Sequence, residues 1–73
     1  MVVRYFASLR ELRGRSEEPC TFPAGITAAE AYRMLGLPLE LPIAFAVNQT
    51  RVGGATVLVE GDEVVFLPPI GGG

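Results

Sequence analysis

Histidine and lysine are absent from this 73-residue sequence, and cysteine occurs once, at Cys20. With no imidazole and a single thiol, disulfide stapling, zinc clusters, Cys–His nucleophiles and Ser–His–Asp triads are all unavailable within the chain, and no metal site is expected. Without lysine there is no side-chain amine through which copies of the chain can be linked into polymers. Long apolar runs are missing as well. The longest, Leu41 to Val47 and Val64 to Ile70, both contain proline and stay well below the ~20 residues of a membrane-spanning helix. Neither sign of charge dominates: six arginines against eight acidic residues leave a net charge of -2, which does not suit a phosphate backbone, so neither nucleic acid nor membrane is an expected partner. The opening Met1-Val2-Val3-Arg4 has neither the basic nor the apolar region of a signal peptide, so a cytoplasmic location is expected.

What is present is a chain 49% hydrophobic and 19% charged, the composition of one small domain. A chain of this length buries only about 60% of the surface that its unfolded form exposes, so it can hardly enclose a large pocket. Its chemistry is expected at the surface or inside a partner. Cys20 has no basic residue within two positions to lower its pKa and reads as a small core or edge residue rather than a reactive thiol.

Val2 to Ala7 is β-branched and aromatic and reads as an opening strand, with Val3 and Tyr5 on one face and Val2, Arg4 and Phe6 on the other. Ser8 is the expected cap of a short helical turn, Leu9 to Leu12, ended by Gly14. A second strand is predicted from Glu17 to Phe22, followed by a turn at Pro23-Ala24-Gly25. Thr27-Ala28-Ala29-Glu30 is a capping box, and Ala28, Ala31, Tyr32 and Leu35 then share one face of a helix over 28–35 that Gly36 stops. Ile43, Phe45 and Val47 alternate with smaller or polar residues, the pattern of a half-buried strand, and Asn48-Gln49-Thr50 turns the chain. Val52 and Thr56 to Val59 read as short strand pieces, and Glu60-Gly61-Asp62 turns into a last strand from Glu63 to Leu67. Strands on both sides of one main helix predict an α+β domain: a mixed sheet of four to five strands with the first and last side by side in its middle, the ubiquitin-like β-grasp arrangement.

The sequence therefore divides into a domain, 1–67, and an extended tail, 68–73. Pro68-Pro69 favour a polyproline stem, the last three positions carry no side chain, and six stretched residues reach about 20 Å. A carboxylate on Gly73 at the end of such a tail can enter a narrow channel in another protein. There its attack on the α-phosphate of ATP gives an acyl-adenylate, a mixed anhydride that a thiolate or persulfide opens. The plain alternative is a frayed end or a cloning remnant.

Val47-Asn48-Gln49-Thr50, the run from Gly61-Asp62-Glu63-Val64 through Pro68-Pro69-Ile70 to the glycines, and Phe6-Ala7 with Leu9-Arg10-Glu11-Leu12 resemble the small subunit of molybdopterin synthase, a family of ubiquitin-like sulfur carriers. The resemblance spans nearly the whole chain. It implies a cycle in which a ubiquitin-activating-like adenylyltransferase adenylates Gly73 and a sulfurtransferase or persulfide donor converts it to a thiocarboxylate. The tail then enters the large synthase subunit and delivers sulfur to a pterin precursor. In that cycle Gly72 lets the end enter the partner, Pro68, Pro69, Ile70 and Gly71 contact it, and no cofactor is held beyond the transient adenylate and sulfur. Such carriers commonly end in two glycines, and Gly71 makes a third here. The same chemistry also serves thiamine thiazole formation or tRNA thiolation, although Pro68-Pro69 favour the molybdopterin type. A passive β-grasp interaction module with an inert end is the remaining alternative.

On the strands, Phe6 and Leu67 share the parity of Val2 and Val65 and are expected to face away from the helix as a docking pair; the rival assignment reverses the faces. Arg10-Glu11 and Arg51 are candidate contacts with an activating enzyme, each worth under ~1 kcal/mol if it forms only an exposed ion pair. Adjacent Asp62 and Glu63 point to opposite faces, so Asp62 is assigned to the turn and not to catalysis.

Overall fold

The computed structural model describes residues 1–68, in the order β1 (Val2–Tyr5), α1 (Ala7–Arg13), β2 (Glu17–Pro19), α2 (Ala28–Met34), β3 (Ala44–Val47), β4 (Thr50–Val52) and β5 (Glu63–Leu67). The strands form one sheet in the order β2-β1-β5-β3-β4. β1 and β5 run parallel and every other pair is antiparallel, so the first and last strands lie together at the centre. This is the β-grasp arrangement expected from the sequence.

Alternation decides which side of the sheet takes the helix. Val3, Tyr5, Val64 and Phe66 are fully buried, and they form one core with Ala28, Ala31 and Tyr32 of α2 and with Leu9 of α1. The small alanines let the helix lie close, while Tyr32, Phe45 and Phe66 meet edge to face at centroid distances of 5.2 to 6.3 Å. Contacts of this kind contribute about 0.5–1.5 kcal/mol each beyond the area they bury. Gly54 is required by the same closeness: a Cβ there would stand 3.1 Å from Ala29 Cβ and 3.2 Å from the Phe45 ring. The capping box forms as predicted, with the Glu30 amide donating to Thr27 Oγ1 at 3.2 Å and the Thr27 amide donating to Glu30 Oε1 at 2.9 Å.

Four local expectations are corrected. Ser8 does not cap α1. The helix starts two residues earlier, after an extended Phe6 that caps with no side-chain bond and whose carbonyl accepts from the Leu9 amide at 3.1 Å. The chain has to turn at once behind β1 to bury Leu9, and Ala7 takes a φ of 50° to do so. β2 stops at Pro19 instead of Phe22, because β1 has no residue left to pair beyond the exchange of Met1 and Cys20 at 2.8 and 3.0 Å. Thr56 to Val59 is not a strand of the sheet. It crosses the entry to α2, held by Leu58 N–H to the Ile26 carbonyl at 2.8 Å and Ala28 N–H to the Thr56 carbonyl at 2.9 Å, and it buries Leu58. Finally, α2 ends at Met34, with Leu35 as its cap and Gly36 left-handed at φ 72°.

A polar knot ties α1, β1, β2 and the end of α2. The Tyr5 hydroxyl donates to the Glu18 carboxylate, which also accepts from Arg13 at 2.6 Å and Arg15 at 3.2 Å, while Arg13 donates to the Leu35 carbonyl at 3.3 Å. The Tyr5 bond, more than the two arginines, holds the Glu18 carboxyl below the usual glutamate range; burial, then the Glu18 bond, pushes the Tyr5 hydroxyl up. Glu18→Ala leaves the buried Tyr5 hydroxyl without its acceptor and takes the carboxylate from the half-buried Arg13. It is expected to cost about 2 kcal/mol, a fall of about 10 °C in Tm by thermal denaturation. Because the folded pKa of Glu18 is depressed, its contribution is complete above the ordinary glutamate range and disappears as pH falls through the folded value. The deficit of the variant therefore closes in acid.

Asn48 and Gln49 both have positive φ, 51° and 71°, between the paired residues Val47 and Thr50. This is the primed two-residue turn that matches strand twist, and Gln49 adopts its left-handed half without the freedom of glycine. Gln49→Gly is expected to raise stability by about 0.5–1 kcal/mol, the relief of strain less the added unfolded-state entropy, measured by urea denaturation.

Candidate functional site

Register places two rows on the sheet face opposite α2. Tyr5 pairs with Phe66 and Ala44 with Leu67, so Phe6, Leu67 and Ala44 form one row where β5 leaves the sheet. Arg4, Val65, Ala46 and Arg51 form the row before it. Phe6 is 41% exposed, Leu67 and Ala44 are half-buried, and Pro68, the next residue of the chain, is buried. Phe6 and Leu67 thus face outward side by side as expected. The reversed assignment fails because Val3, Tyr5, Val64 and Phe66 fill the other face. The Arg4 guanidinium lies 5.7 Å from the Phe6 ring centroid and bridges Glu63 at 3.5 Å and Glu17 at 3.8 Å, which props the ring beside the exit.

The exit is held at both ends of β5. At its finish Leu67 lies opposite Ala44, within a strand paired on both sides. At its start, Asp62 accepts from the Val59 amide at 2.8 Å and from the Asn48 side-chain amide at 2.9 Å, while Asn48 Oδ1 accepts from the Glu63 amide at 3.0 Å. The Val59 amide first, and the Asn48 amide second, keep the buried Asp62 carboxyl below the usual aspartate range. Both oxygens of Asp62 are used within the turn, and Glu63 turns instead to Arg4. The two carboxylates do not form a catalytic pair. The Asn48 lock was not read from the sequence; an asparagine opening the turn before β4 was its only local signal.

Cys20 stands at the other end of the sheet, beside Met1 where β1 begins, about 16 Å along the strand direction from Leu67. It lines a cavity of about 390 Å³ with Met1, Phe22, Val57 and Val59. Burial, with the Glu18 charge adding, pushes its thiol up, so it is a protonated, half-buried side chain away from the exit. Arg10 and Glu11 are exposed on α1, whereas Arg51 shares the sheet face with Phe6 and Leu67. Pro69, Ile70, Gly71, Gly72 and Gly73 lie outside the described residues. Among the described residues no helix is long and apolar enough to cross a membrane.

The depressed pKa of Asp62 makes its contribution one that is present above the ordinary aspartate range and lost as pH falls through the folded value. Asp62→Asn cannot accept from both amides. Its Tm is expected to lie below that of the unsubstituted chain at neutral pH and to converge on it in acid, as followed by thermal melts across that range.

Residues 3–73 match the family model described as the ThiS family. The chain is 37% identical over 78 aligned positions to the molybdopterin synthase sulfur carrier subunit of Escherichia coli (strain K12), covering 97% of this chain and 96% of that protein. Among solved structures it is similar to the HVO 2177 protein of Haloferax volcanii, with a TM-score of 0.83, 28% identity and coverage of 99% of this chain and 84% of that one. SAMP1 from Haloferax volcanii shares the fold at a TM-score of 0.79 and 21% identity, over 99% of this chain and 97% of that one.

Proposed function

The chain belongs to the ThiS family, and from that premise we propose that it is the sulfur carrier, the small subunit, of a cytoplasmic molybdopterin synthase. The observation that carries the reading is the course of β5. The central strand, clamped at both ends, passes through Leu67 and a buried Pro68 directly into the sequence that finishes in three glycines, beside an outward apolar row. Near full-length identity to a protein of that name supports it.

The chain supplies a reagent and not a pocket. An adenylyltransferase of the ubiquitin-activating type joins the Gly73 carboxylate to AMP from ATP and releases pyrophosphate. A persulfide from a sulfurtransferase then attacks the acyl carbon and AMP departs; a second thiol attacks the outer sulfur of the resulting acyl disulfide, forming a disulfide with the donor and leaving the thiocarboxylate. The large synthase subunit takes the tail, and sulfur passes to the pterin precursor. Gly72 and Gly73 suit this because a backbone without β-carbons passes between close walls into a site that excludes water. Pro68, buried against the domain, is the root of the tail; Pro69, Ile70 and Gly71 are the residues that the partner grips, and Phe6 and Leu67 dock the domain against it.

Incubation with the activating enzyme, ATP and a sulfur donor is expected to shift the intact mass by the exchange of one oxygen for one sulfur at Gly73. An unchanged mass under conditions that convert a known carrier would leave only the passive module. Removing Gly72 and Gly73 is expected to abolish the shift without changing Tm, since the core of the described residues lies wholly before them. Phe6→Asp is expected to keep the fold and weaken capture of the large subunit. The same terminal chemistry serves thiamine thiazole formation and tRNA thiolation. The matched family does not bear the synthase's name and fits those acceptors too; the co-purifying partner separates the routes.

A further inference from the structure

One row of the open sheet face crosses all five strands: Glu17, Arg4, Val65, Ala46 and Arg51 lie opposite one another in successive pairings. Arg4 and Arg51 are three strand spacings apart, about 14 Å. Between them Val65 and Ala46 are each only 8% exposed, and the neighbouring row adds Phe6, Leu67 and Ala44. α2 covers the opposite face, and no described element crosses this one.

From this juxtaposition we propose that the face is a charge-bracketed docking strip, and that the protein gripping the tail meets it with an apolar centre flanked by carboxylates about 14 Å apart. This deepens the reading given under Proposed function and rests on it. The two arginines are available to different degrees. Arg51 makes no ion pair among the described residues. Arg4 holds Glu63 and Glu17 only at 3.5 and 3.8 Å, through side chains 32 to 60% exposed, weak solvent-screened contacts that are readily exchanged. Those same carboxylates stand on the docking face and repel a continuous polyanion. The charge pattern therefore fits discrete acidic side chains of a protein and not a phosphate backbone. Bracketing charges act chiefly on encounter rate and on the rejection of wrong partners, so they set which protein docks, while Phe6 and Leu67 supply the apolar contact.

The test is the Kd of the full chain for the large molybdopterin synthase subunit of the same organism, at low and high salt. Arg51→Glu is expected to weaken binding about tenfold at low salt and much less at high salt, with Arg51→Lys close to the unsubstituted chain. Glu17→Gln, which removes one of the two carboxylates that compete for Arg4, is expected to tighten binding at low salt. Arg33→Glu, exposed on α2 and away from the sheet face, is the control for net charge and is expected to change Kd by less than about twofold. Equal Kd values for Arg51→Glu and Arg33→Glu, with the unsubstituted chain bound, would overturn this inference and leave the carrier reading intact. Failure of the unsubstituted chain to bind that subunit at either salt would overturn both.

Discussion

Parallel pairing of β1 with β5 is the constraint on which the rest of this molecule depends. The two segments stand at opposite ends of the sequence, and between parallel strands there is no short turn; the whole intervening chain is the crossover. Because both strands run the same way, everything that begins them collects at one end of the sheet and everything that follows them at the other. Met1, Cys20 and Asp62 share the first end. Phe6, Leu67 and Pro68 share the second, which places the departing chain beside the outward apolar row.

That geometry separates tasks that a small chain has difficulty combining. The face under α2 carries the apolar core and the aromatic trio, and the Glu18 knot fastens α1 and β2 to its flank. The outer face carries little of the core, so its residues are available for recognition. The start of β5 is fixed by a carboxylate with both oxygens hydrogen-bonded, and its finish by pairing with β1 as far as Phe66 and with β3 through Leu67. A rigid base is what a reactive end needs when another protein has to grip it in a narrow site, since order already present in the carrier is not lost again on binding.

Cys20 lies at the wrong end with its proton retained, and Asp62 is consumed by the turn. The chemistry assigned to the chain resides in its backbone terminus, consistent with a sequence lacking histidine and lysine.

Local patterns were enough to read the capping box at Thr27, the inward parity of Val3, Tyr5, Val64 and Phe66, the helix stops at Gly14 and Gly36, and the outward pairing of Phe6 with Leu67, because each depends on neighbours within a few residues or on strand alternation alone. Residue types near the chain's end were enough to suggest a carrier. Where β2 stops, why Thr56 to Val59 leaves the sheet, and why Ser8 gives up the cap were decided by which partner was within reach. Those partners come from distant parts of the chain. The row joining Arg4 to Arg51 was hidden for the same reason: three separate strand registers produce it, and register is set by how the two faces bury across the whole sheet and not by any one segment.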